Sequence, residues 1–561
     1  MNGDGTSDPC DDSSNRVFMT TTFSRREILA SFLGVPFALA ACKRTATPTF
    51  PEGEIVGTSD VFGHRLRDGL RVEVPVDAWT NVPIVIVGGG VAGLTAAWRL
   101  QNSGINDFVL IELENAPGGT SRSGSNRNIS FPWGAHYIPA PMKENTALIS
   151  LLDEMGVLEG RDEAGEPIVR EQFLCRDPEE RVFYKRRWYE GLYLHAGASG
   201  QDKLELDRFN LELARWISWR DAKGRRAFTL PVSACSDDAE VTALDRISIL
   251  EWMNQRGFKS SRLQWWVDYA CRDDYGMTVE HTSAWAGLFY FCSRVAKPGV
   301  ESQSLITWPE GNGRLVNHLF EKTKSHVQLD RAAVELIPVE ENGRARVDVI
   351  TVDREGRNPR GFRAQRVIFA APQFMARYVV RPYRDNPPPH VAEFQFGSWM
   401  VANLTLRDRP QQSPRDFPLS WDNVLYESPS LGYVVATHQR GRDHGPTVLT
   451  YYYPLCDADP RHARARLLET GWKEWTDVIL TDLERAHLDI RELTERVDVM
   501  RWGHAMIRPR TGFMWGQARR EGAKPFRSIH FAHSELSGVA LFEEAFDVGL
   551  RVADEVRISR A

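Results

Sequence analysis

The sequence predicts an α/β protein with a Rossmann-type nucleotide-binding domain and at least one further domain. A β-branched run from Asn81 to Val87 leads into the glycines Gly88, Gly90 and Gly93, and a segment rich in helix-forming residues follows. Strand, glycine-rich turn and helix in this order form the first half of a dinucleotide-binding βαβ unit. A chain of 561 residues is longer than a domain with one hydrophobic core usually is, so two or more domains are expected. The segments of these domains can interleave in sequence.

The composition is that of an ordinary folded protein, with 42% hydrophobic and 26% charged residues and a formal net charge of -6. No long block of lysine and arginine follows the N-terminus. A nucleic-acid partner therefore has no electrostatic support, and a small-molecule substrate is expected instead.

The N-terminus predicts an export signal over residues 1–41. Residues 24–29 read SRREIL, a twin-arginine pattern, and the apolar run that follows is too short to span a bilayer comfortably. The run ends in LAAC, which resembles a bacterial lipoprotein box with Cys42 as the lipidated residue. A plain signal cut near Ala41 is the alternative. We expect export by the twin-arginine machinery, with the mature protein periplasmic or anchored to the membrane as a lipoprotein.

The twin-arginine route carries folded cargo, often with a cofactor already loaded, so a cofactor is expected. Besides Cys42, five cysteines of irregular spacing remain in the mature chain, and no C-x-x-C pair occurs. Neither a disulfide framework nor a metal site is indicated. Residues 42–80, punctuated by proline and glycine, are expected to form a stalk or linker.

Each residue of the glycine-rich turn has a physical role in binding a dinucleotide. Gly88 allows the tight turn, Gly90 lets a pyrophosphate approach the backbone, and Gly93 lets the helix lie close to the sheet. The helix begins at Val91 and Ala92, where unpaired N–H groups face the phosphates.

A second strand, Phe108 to Ile111, ends in Glu112, which is 24 positions beyond Gly88. An acid at that place accepts hydrogen bonds from the adenosine ribose. This pattern does not by itself distinguish NAD from FAD.

The residues after Glu112 favour FAD. Gly118 and Gly119 are followed by Thr120 and, two places later, Arg122, and here the chain resembles the flavin-containing amine oxidase superfamily of monoamine oxidases, polyamine oxidases and phytoene-desaturase-like enzymes. The resemblance implies that this segment wraps the FAD pyrophosphate. Thr120 stands where the family has arginine, and Arg122 can supply the missing cation.

The resemblance resumes in the middle and at the end of the chain. A meander that closes on Ala371-Pro372 contains Val334, whose counterpart meets the adenine. The tail, residues 528–556, matches a strand followed by a helix that opens with Glu543 and Ala545 and points at the flavin. His533 and Glu544 replace family glycines, and Ser534 or Glu535 takes the place of the acid that binds the ribityl chain.

The three matching segments imply a discontinuous architecture. The resemblance assigns residues 81–141, 298–381 and 501–561 to a Rossmann-type (GR2-like) FAD-binding domain. Residues 142–297 and 382–500 would then form an α+β substrate domain.

Flavin chemistry requires little of the protein beyond holding a donor carbon against N5 and excluding water. Monoamine-oxidase-like members carry a lysine where this chain has Val401 or a neighbour, which weakens a simple amine-oxidase assignment. Trp502 is the candidate aromatic wall beside the flavin, and His504 is a candidate polar contact or base. For His504 a structural role is an equal alternative.

Candidate pocket residues lie in three further stretches. Asp273 and Asp274 precede an aromatic segment and could hold a cationic amine, although helix capping with Arg272 as ion-pair partner is the more ordinary interpretation. Phe513, Trp515 and His136 complete the set; for each of these three, a structural role in the core is an equal or better alternative.

The leading hypothesis is an exported FAD-dependent oxidoreductase that oxidises an amine, a polyamine included, or another small reduced molecule by hydride transfer to flavin N5. The electron acceptor, oxygen or a quinone, is left open. A desaturase or isomerase of an apolar lipid or isoprenoid is one alternative, and a non-catalytic flavin-binding scaffold is another.

Overall fold

The computed structural model describes residues 50–558 except 128, 301, 342, 457 and 458. The twin-arginine pattern and Cys42 lie outside the described residues. No helix in the described part of the chain is both long and apolar enough to cross a bilayer.

Two large sheets organise residues 51–558. The strands are β1 (Glu52–Val56), β2 (Trp79–Val87), β3 (Phe108–Ile111), β4 (Ser123–Asn126), β5 (Ile129–Pro132), β6 (Tyr137–Pro139), β7 (Leu158–Arg161), β8 (Pro167–Val169), β9 (Glu180–Tyr184), β10 (Arg187–Glu190), β11 (Leu305–Thr307), β12 (Val327–Gln328), β13 (Arg331–Glu341), β14 (Arg344–Asp353), β15 (Arg360–Phe369), β16 (Phe396–Leu406), β17 (Asp422–Leu425), β18 (Gly432–Val435), β19 (Thr447–Pro454), β20 (Thr494–Ile507) and β21 (Ile529–Phe531). The α-helices are α1 (Asp60–Arg67), α2 (Val91–Asn102), α3 (Thr146–Glu154), α4 (Gly200–Ser218), α5 (Ala239–Thr242), α6 (Ile249–Gln255), α7 (Ser261–Tyr275), α8 (Ala284–Cys292), α9 (Gly313–Thr323), α10 (Gln373–Val379), α11 (Arg381–Asp385), α12 (Pro460–Glu469), α13 (Trp472–Glu484), α14 (Ile490–Leu493), α15 (Gln517–Gly522) and α16 (Phe542–Ile558).

The first sheet brings the beginning, middle and end of the chain together. Its order is β12-β3-β2-β15-β14-β13, and β21 pairs with the last residues of β15. One row across its parallel part runs through Val109, Val85, Val367 and Ile529, one residue from each of four strands. Strands buried on both faces favour such unbroken β-branched runs. The convergence predicted from three separate segments is present in this sheet.

Small residues let two helices lie close to the strands and to each other. A Cβ atom at Gly93 of α2 would lie 1.9 Å from the carbonyl oxygen of Gly88. A Cβ atom at Gly549 of α16 would lie 2.6 Å from the carbonyl oxygen of Ala92. The C-terminal helix is thereby packed against the helix that follows the glycine-rich turn.

The second sheet has the order β1-β20-β16-β19-β18-β17-β9-β10. All of β16 is buried, and its partner β20 pairs with it from Thr494 to Ile507. The domain boundary predicted between residues 500 and 501 falls inside β20, because one long strand serves both regions. A third core, built mainly from α4, α6, α7 and α8, packs around Trp252, Trp285 and Phe289.

Part of the predicted linker, residues 42–80, is ordered structure instead. Residues 52–56 form β1 at the edge of the second sheet, and residues 60–67 form α1. Phe62 and Leu66, four residues apart on one face of α1, are buried in the main core. The punctuating glycines do not prevent this, and Gly53 enables the strand pairing.

Candidate functional site

A cavity of about 760 Å³ opens at the carboxyl ends of the first sheet's parallel strands. This position, at the edge where a parallel sheet meets its crossover helices, is where open α/β sheets bind ligands. Four parts of the chain supply most of the cavity wall. They are residues 55–67, residues 87–92 with 111–121, residues 331–333 with 369–379, and residues 501–507 with 533–545.

The glycine-rich turn has the geometry that a dinucleotide requires. Gly88 has φ +106°, and a Cβ atom there would lie 2.9 Å from the carbonyl oxygen of Ala370, so only glycine fits. A Cβ atom at Gly90 would meet nothing within 4 Å, because that side of the backbone faces the open cavity. Val91 and Ala92, at the N-terminus of α2, also line it. Gly93 packs against the sheet as predicted rather than facing the cavity.

Glu112 lies on the cavity wall with its carboxylate held by backbone. Its Oε2 accepts from the N–H of Gly89 at 2.6 Å, and its Oε1 accepts from the N–H of Glu114 at 2.8 Å. Burial raises the pKa of Glu112, and these two N–H groups oppose the rise. The side chain is thereby fixed at the cavity edge with lone pairs left for ribose hydroxyls.

The tail contributes an acid with one free oxygen. Ser534 and Glu535 both line the cavity. Oε1 of Glu535 accepts from the N–H of Gln373 at 2.5 Å, whereas the buried Oε2 has no hydrogen-bond partner within the described chain. Burial raises the pKa of Glu535 to about 8 and lowers that of His533 to about 4. Of the two candidates left open by the sequence, Glu535 has the orphaned buried atom that a bound hydroxyl group would satisfy.

The first turn of α16 contributes two residues to the cavity. Phe542 and Ala545 line it, so the positive end of the helix dipole lies at the cavity. Glu543 points away into the core, and burial raises its pKa to about 7. The structure therefore assigns the cavity wall to Ala545 and not to Glu543.

Three other predicted cofactor residues lie behind the cavity wall. Gly118 lines the cavity, but Gly119 and Arg122 do not; the backbone of Arg122 lies behind Gly118. Val334 is buried at a β-bulge, which leaves its neighbours Ala332 and Ala333 on the wall.

The cavity wall contains arginines other than the predicted Arg122, and the glycine motifs did not indicate them. The arginines that line it are Arg67, Arg331, Arg464 and Arg501.

Trp502 and His504 lie next to each other on the cavity wall, on β20. The indole N–H of Trp502 donates to the carbonyl oxygen of Trp133 at 2.7 Å. The His504 ring stacks on Phe374 with centroids 3.9 Å apart. Burial, with the charges of Arg464 and His64, lowers the pKa of His504 to about 3, so it is neutral near pH 7. His504 therefore suits the role of an aromatic wall better than that of a base.

A group of carboxylates lies beyond this wall and was only partly predicted. Asp422 of β17 and Glu180 of β9 are register partners on neighbouring parallel strands, and Asp273 lies beside them in the last turn of α7. Burial and the charge of Asp274 raise the pKa of Asp273 to about 7, and burial and the charge of Glu179 do the same for Glu180. Burial and the charge of Glu180 raise the pKa of Asp422 well above its usual value. We call Glu180, Asp273 and Asp422 the acidic pocket.

The side chains of the acidic pocket are half-buried, so each is still partly accessible. Asp422 accepts from the hydroxyl of Tyr269 at 3.3 Å. The carboxylates of Asp273 and Glu180 have no hydrogen-bond partner among the residues that the structure describes. Each is therefore able to accept hydrogen bonds from a ligand.

Aromatic rings lie between the acidic pocket and the cavity of about 760 Å³. We call this cavity the cofactor cavity, because its wall contains most of the predicted cofactor residues. The His136 ring lies 4.9 Å from the ring of Tyr452 and 5.3 Å from that of Trp421. The hydroxyl of Tyr452 donates to the carbonyl oxygen of Gly134, and the next residue, Ala135, lines the cofactor cavity. Burial lowers the pKa of His136 to about 4. The loop of residues 133–136 is thus a wall common to both spaces.

The remaining predicted pocket residues have structural partners. Asp274 pairs with Arg294 at 2.8 Å, and Arg272 pairs with Asp268. The alternative in which Arg272 is the ion-pair partner of Asp273 or Asp274 is therefore wrong. Phe513 packs edge-on against Phe394.

Trp515 packs edge-on against Trp285 of the third core. Phe513 and Trp515 are absent from the cavity wall. In the described part of the chain, no group of three or more His, Cys, Asp or Glu side chains is arranged to hold a metal ion.

Comparison with known proteins agrees with this geometry. Residues 86–155 match the family model of the NAD(P)-binding Rossmann-like domain. Over 77 residues the chain is 36% identical to a Baeyer-Villiger monooxygenase from Penicillium patulum; the match covers 14% of this chain and 11% of that protein.

Solved structures match over most of the chain. Wild-type putrescine oxidase bound to putrescine matches with a TM-score of 0.60 and 17% identity, covering 86% of this chain and 100% of that one. Cyclohexylamine oxidase from Brevibacterium oxydans matches with a TM-score of 0.59 and 14% identity over the same shares. A fatty acid isomerase from P. acnes matches with a TM-score of 0.59 and 15% identity, covering 84% and 98%.

At these identities the likeness establishes the fold. The predicted α/β architecture, in which a Rossmann-type domain is joined to an α+β domain, is confirmed.

Proposed function

We propose that the protein is an exported FAD-dependent oxidoreductase of the amine-oxidase type, acting on an amine, a polyamine included. The observation that carries the proposal is the convergence of residues 87–92, 111–121 and 533–545 on one cavity. Each segment is the one that the superfamily resemblance assigns to a different part of FAD. The fold shared with two amine oxidases supports the same assignment.

The residues of the cavity fit FAD. The open side of Gly90 and the N-terminus of α2 would receive the diphosphate, and Glu112 would accept from the adenosine ribose. The orphaned Oε2 of Glu535 would accept a hydrogen bond from the ribityl chain. When bound, FAD supplies a two-electron acceptor. The positive end of the α16 dipole favours negative charge at the same place.

The acidic pocket supports an amine as the substrate. Above pH 7 the carboxylates of Asp273 and Glu180 are charged and attract an ammonium group, and the low dielectric of a buried site strengthens this attraction. The rings of Trp421 and Tyr452 add cation–π attraction of about 0.5–2 kcal/mol. With more than one carboxylate present, a substrate with several amino groups is favoured.

The proposal includes two electron acceptors, oxygen and a quinone, because the lysine of monoamine-oxidase-like proteins is missing. Val401, which with its neighbours stands where the family has a lysine, is buried in the same apolar cluster as Trp502, and the cavity wall of the described chain contains no lysine. We therefore include a dehydrogenase that passes electrons to a quinone, beside an oxidase that uses oxygen.

The second candidate function is a desaturase or isomerase of an apolar lipid, which the structural likeness to a fatty acid isomerase favours. The carboxylates of the acidic pocket oppose it, because an apolar lipid offers them no hydrogen-bond donor or positive charge.

The test is anaerobic mixing of the purified protein with panels of mono-, di- and polyamines, alcohols and unsaturated fatty acids, while the flavin absorbance is followed. We expect a yellow protein that releases FAD on denaturation and is bleached by amines, and re-exposure to oxygen or a quinone then identifies the acceptor. A protein without flavin after reconstitution would refute the proposal. Conversion of fatty acids without bleaching by any amine would transfer the assignment to the second candidate, and a flavin that no substrate reduces would indicate the scaffold.

Export through the twin-arginine pathway is part of the proposal. The support is the sequence of residues 24–41 with its arginine pair. Replacing Arg25 and Arg26 together by lysine should leave the precursor in the cytoplasm, and Cys42→Ala should release an anchored protein into the soluble fraction. Secretion of the double-lysine variant at the normal rate would contradict the assignment.

A further inference from the structure

A segment that precedes the Rossmann strand forms part of the cofactor cavity. We call residues 52–67, which contain β1 and α1, the N-terminal strap. Residues 55–60 line the cavity without interruption, and Gly63, His64, Leu66 and Arg67 also line it. The strap belongs to none of the segments that the sequence assigned to cofactor binding.

One end of the strap is held by the second sheet. β1 pairs in parallel with residues 496–500 of β20, the strand that carries Trp502 and His504. Gly53 has φ +144°, and a Cβ atom there would lie 1.9 Å from the carbonyl oxygen of Val497. The pairing therefore depends on a glycine at this position.

The middle of the strap, at Ser59, is held by the loop of the ribose acid. The N–H of Ser59 donates to Oε1 of Glu114 at 2.6 Å, and its hydroxyl donates to Oε2 at 3.2 Å. Arg354 donates to the Ser59 hydroxyl oxygen at 2.9 Å. The N–H of Glu114 in turn donates to Glu112. Ser59 is therefore linked through Glu114 to the carboxylate that would bind the adenosine ribose.

The first half of the strap thus runs from β20 to the loop of Glu114, and the cavity-lining residues begin between these two anchors. The second half is α1, which is packed into the main core through Phe62 and Leu66. We propose that the strap is a cofactor-binding segment: it closes over bound FAD, contacts it through residues 55–60, and must lift from one anchor before the cofactor can leave. This inference rests on the proposed function, because it takes FAD as the occupant.

The first test measures the dissociation rate of FAD from the holoprotein by the rise in fluorescence of free FAD after dilution. Gly53→Val, which removes the pairing of β1 with β20, should raise the rate at least about tenfold, the equivalent of roughly 1.4 kcal/mol. Ser59→Ala, which removes the hydroxyl contacts with Glu114 and Arg354, should raise it about threefold to tenfold. Val61→Ala is the matched control, because Val61 lies in the strap but is 72% exposed and does not line the cavity.

The second test uses trypsin, which can cut the strap and its C-terminal flank at the exposed Arg65, Arg67 and Arg71. FAD should protect these sites in the wild-type protein, and protection should weaken in Ser59→Ala. This measurement decides the question if Gly53→Val does not fold.

The outcomes separate the two proposals. A wild-type protein that binds no FAD overturns both. Bound FAD whose dissociation is unchanged in Ser59→Ala and Gly53→Val, with equal cleavage of the strap in apoprotein and holoprotein, overturns the strap alone and leaves the proposed function standing.

Discussion

The cofactor cavity and the acidic pocket share a wall but are built on different principles. The cavity is shaped by backbone: Gly88 and Gly90 bring the main chain to its surface, and Glu112 is fixed by two main-chain N–H groups. The acidic pocket is shaped by side chains, with carboxylates from β9, β17 and α7 brought together by tertiary structure. A main-chain site is encoded in short consecutive motifs, whereas a side-chain site can draw its residues from anywhere in the chain.

The largest expected effect separates packing from binding within the glycine-rich turn. Gly93→Ala places a methyl group 1.9 Å from a backbone oxygen, which should cost about 3 kcal/mol or more and abolish the folded holoprotein. Gly90→Ala introduces its methyl group into open cavity space at φ -71°, a conformation that alanine tolerates. Thermal unfolding and flavin content should therefore differ: Gly90→Ala folds but binds FAD at least about tenfold more weakly.

Equal flavin content in the two glycine variants would contradict this distinction. Gly104→Ala is not a suitable control, because its φ of +79° strains any other residue. Gly471→Ala is better, since a Cβ atom there would meet nothing within 4 Å and its φ is -75°. It should retain both fold and flavin.

The next effect tests the side-chain site. Asp273→Asn removes a charge that we assign to the ammonium group of the substrate, and the KM for a diamine should rise at least about tenfold while flavin content stays unchanged. Steady-state kinetics with a diamine and with a neutral substrate analogue separate charge from shape. Glu280→Gln, an exposed acid shortly after the same helix, is the control and should leave KM within about twofold. An unchanged KM in Asp273→Asn would remove the acidic pocket from substrate binding.

Asp273→Asn should weaken substrate binding but increase the stability of the folded protein at high pH. Burial and Asp274 raise the pKa of Asp273 from 3.8 to about 7, so the folded protein binds this proton more tightly than the unfolded chain does. The associated stability is fully present below pH 4 and is lost as the pH rises through about 7. Asparagine resembles the protonated acid and cannot lose a proton. Asp273→Asn should therefore unfold at a higher temperature than the wild type at pH 8 and at a similar temperature at pH 4.

Calorimetry of the apoprotein at both pH values checks this prediction. A variant that is less stable than the wild type at pH 8 would show that the Asp273 carboxylate is compensated in the folded protein. The prediction about KM would then lose its electrostatic basis as well.

The sequence predicted the cofactor cavity better than the acidic pocket, because the first is built from backbone in consecutive motifs and the second from side chains distant in sequence. The strand, glycines and acid from Asn81 to Glu112 are consecutive, and each has a local conformational reason, so the sequence indicated them and the cavity contains them. Val334 was one residue away from the wall because a β-bulge shifts the alternation of side chains, and a bulge has no sequence signal here. The strap was taken for a linker, since its partners Val497 and Glu114 are distant in sequence.

The acidic pocket marks the limit of local interpretation. Asp273 was singled out only because aromatic residues follow it. Glu180 and Asp422 are 242 residues apart and become neighbours through the parallel pairing of β9 with β17. No short-range pattern encodes that pairing.

A smaller effect is expected at the wall between the two regions. Trp502→Phe removes the indole N–H and leaves the carbonyl oxygen of Trp133 without this 2.7 Å hydrogen bond. The free energy of unfolding should fall by about 1–2 kcal/mol. Flavin content should remain close to that of the wild type, and kcat should fall by about a few-fold as the wall loosens. Denaturant unfolding and steady-state kinetics measure the two effects. A complete loss of flavin would show that Trp502 holds the cofactor directly.

The smallest effect is expected at His504, although a histidine on a cavity wall is an obvious candidate for a base. Burial and neighbouring cations lower its pKa to about 3, so its protonation state does not change between pH 5 and pH 9. His504→Gln should leave the shape of the pH profile of kcat/KM unchanged and alter its height by no more than about threefold, because the ring serves mainly to stack on Phe374. A general base contributes about 100-fold to 10,000-fold, so a loss of that size with a displaced inflection would make His504 a catalytic residue. The inflection near pH 7 should instead become smaller in Asp273→Asn, which has lost one of the two carboxylates with a pKa of about 7 and keeps the other, Glu180.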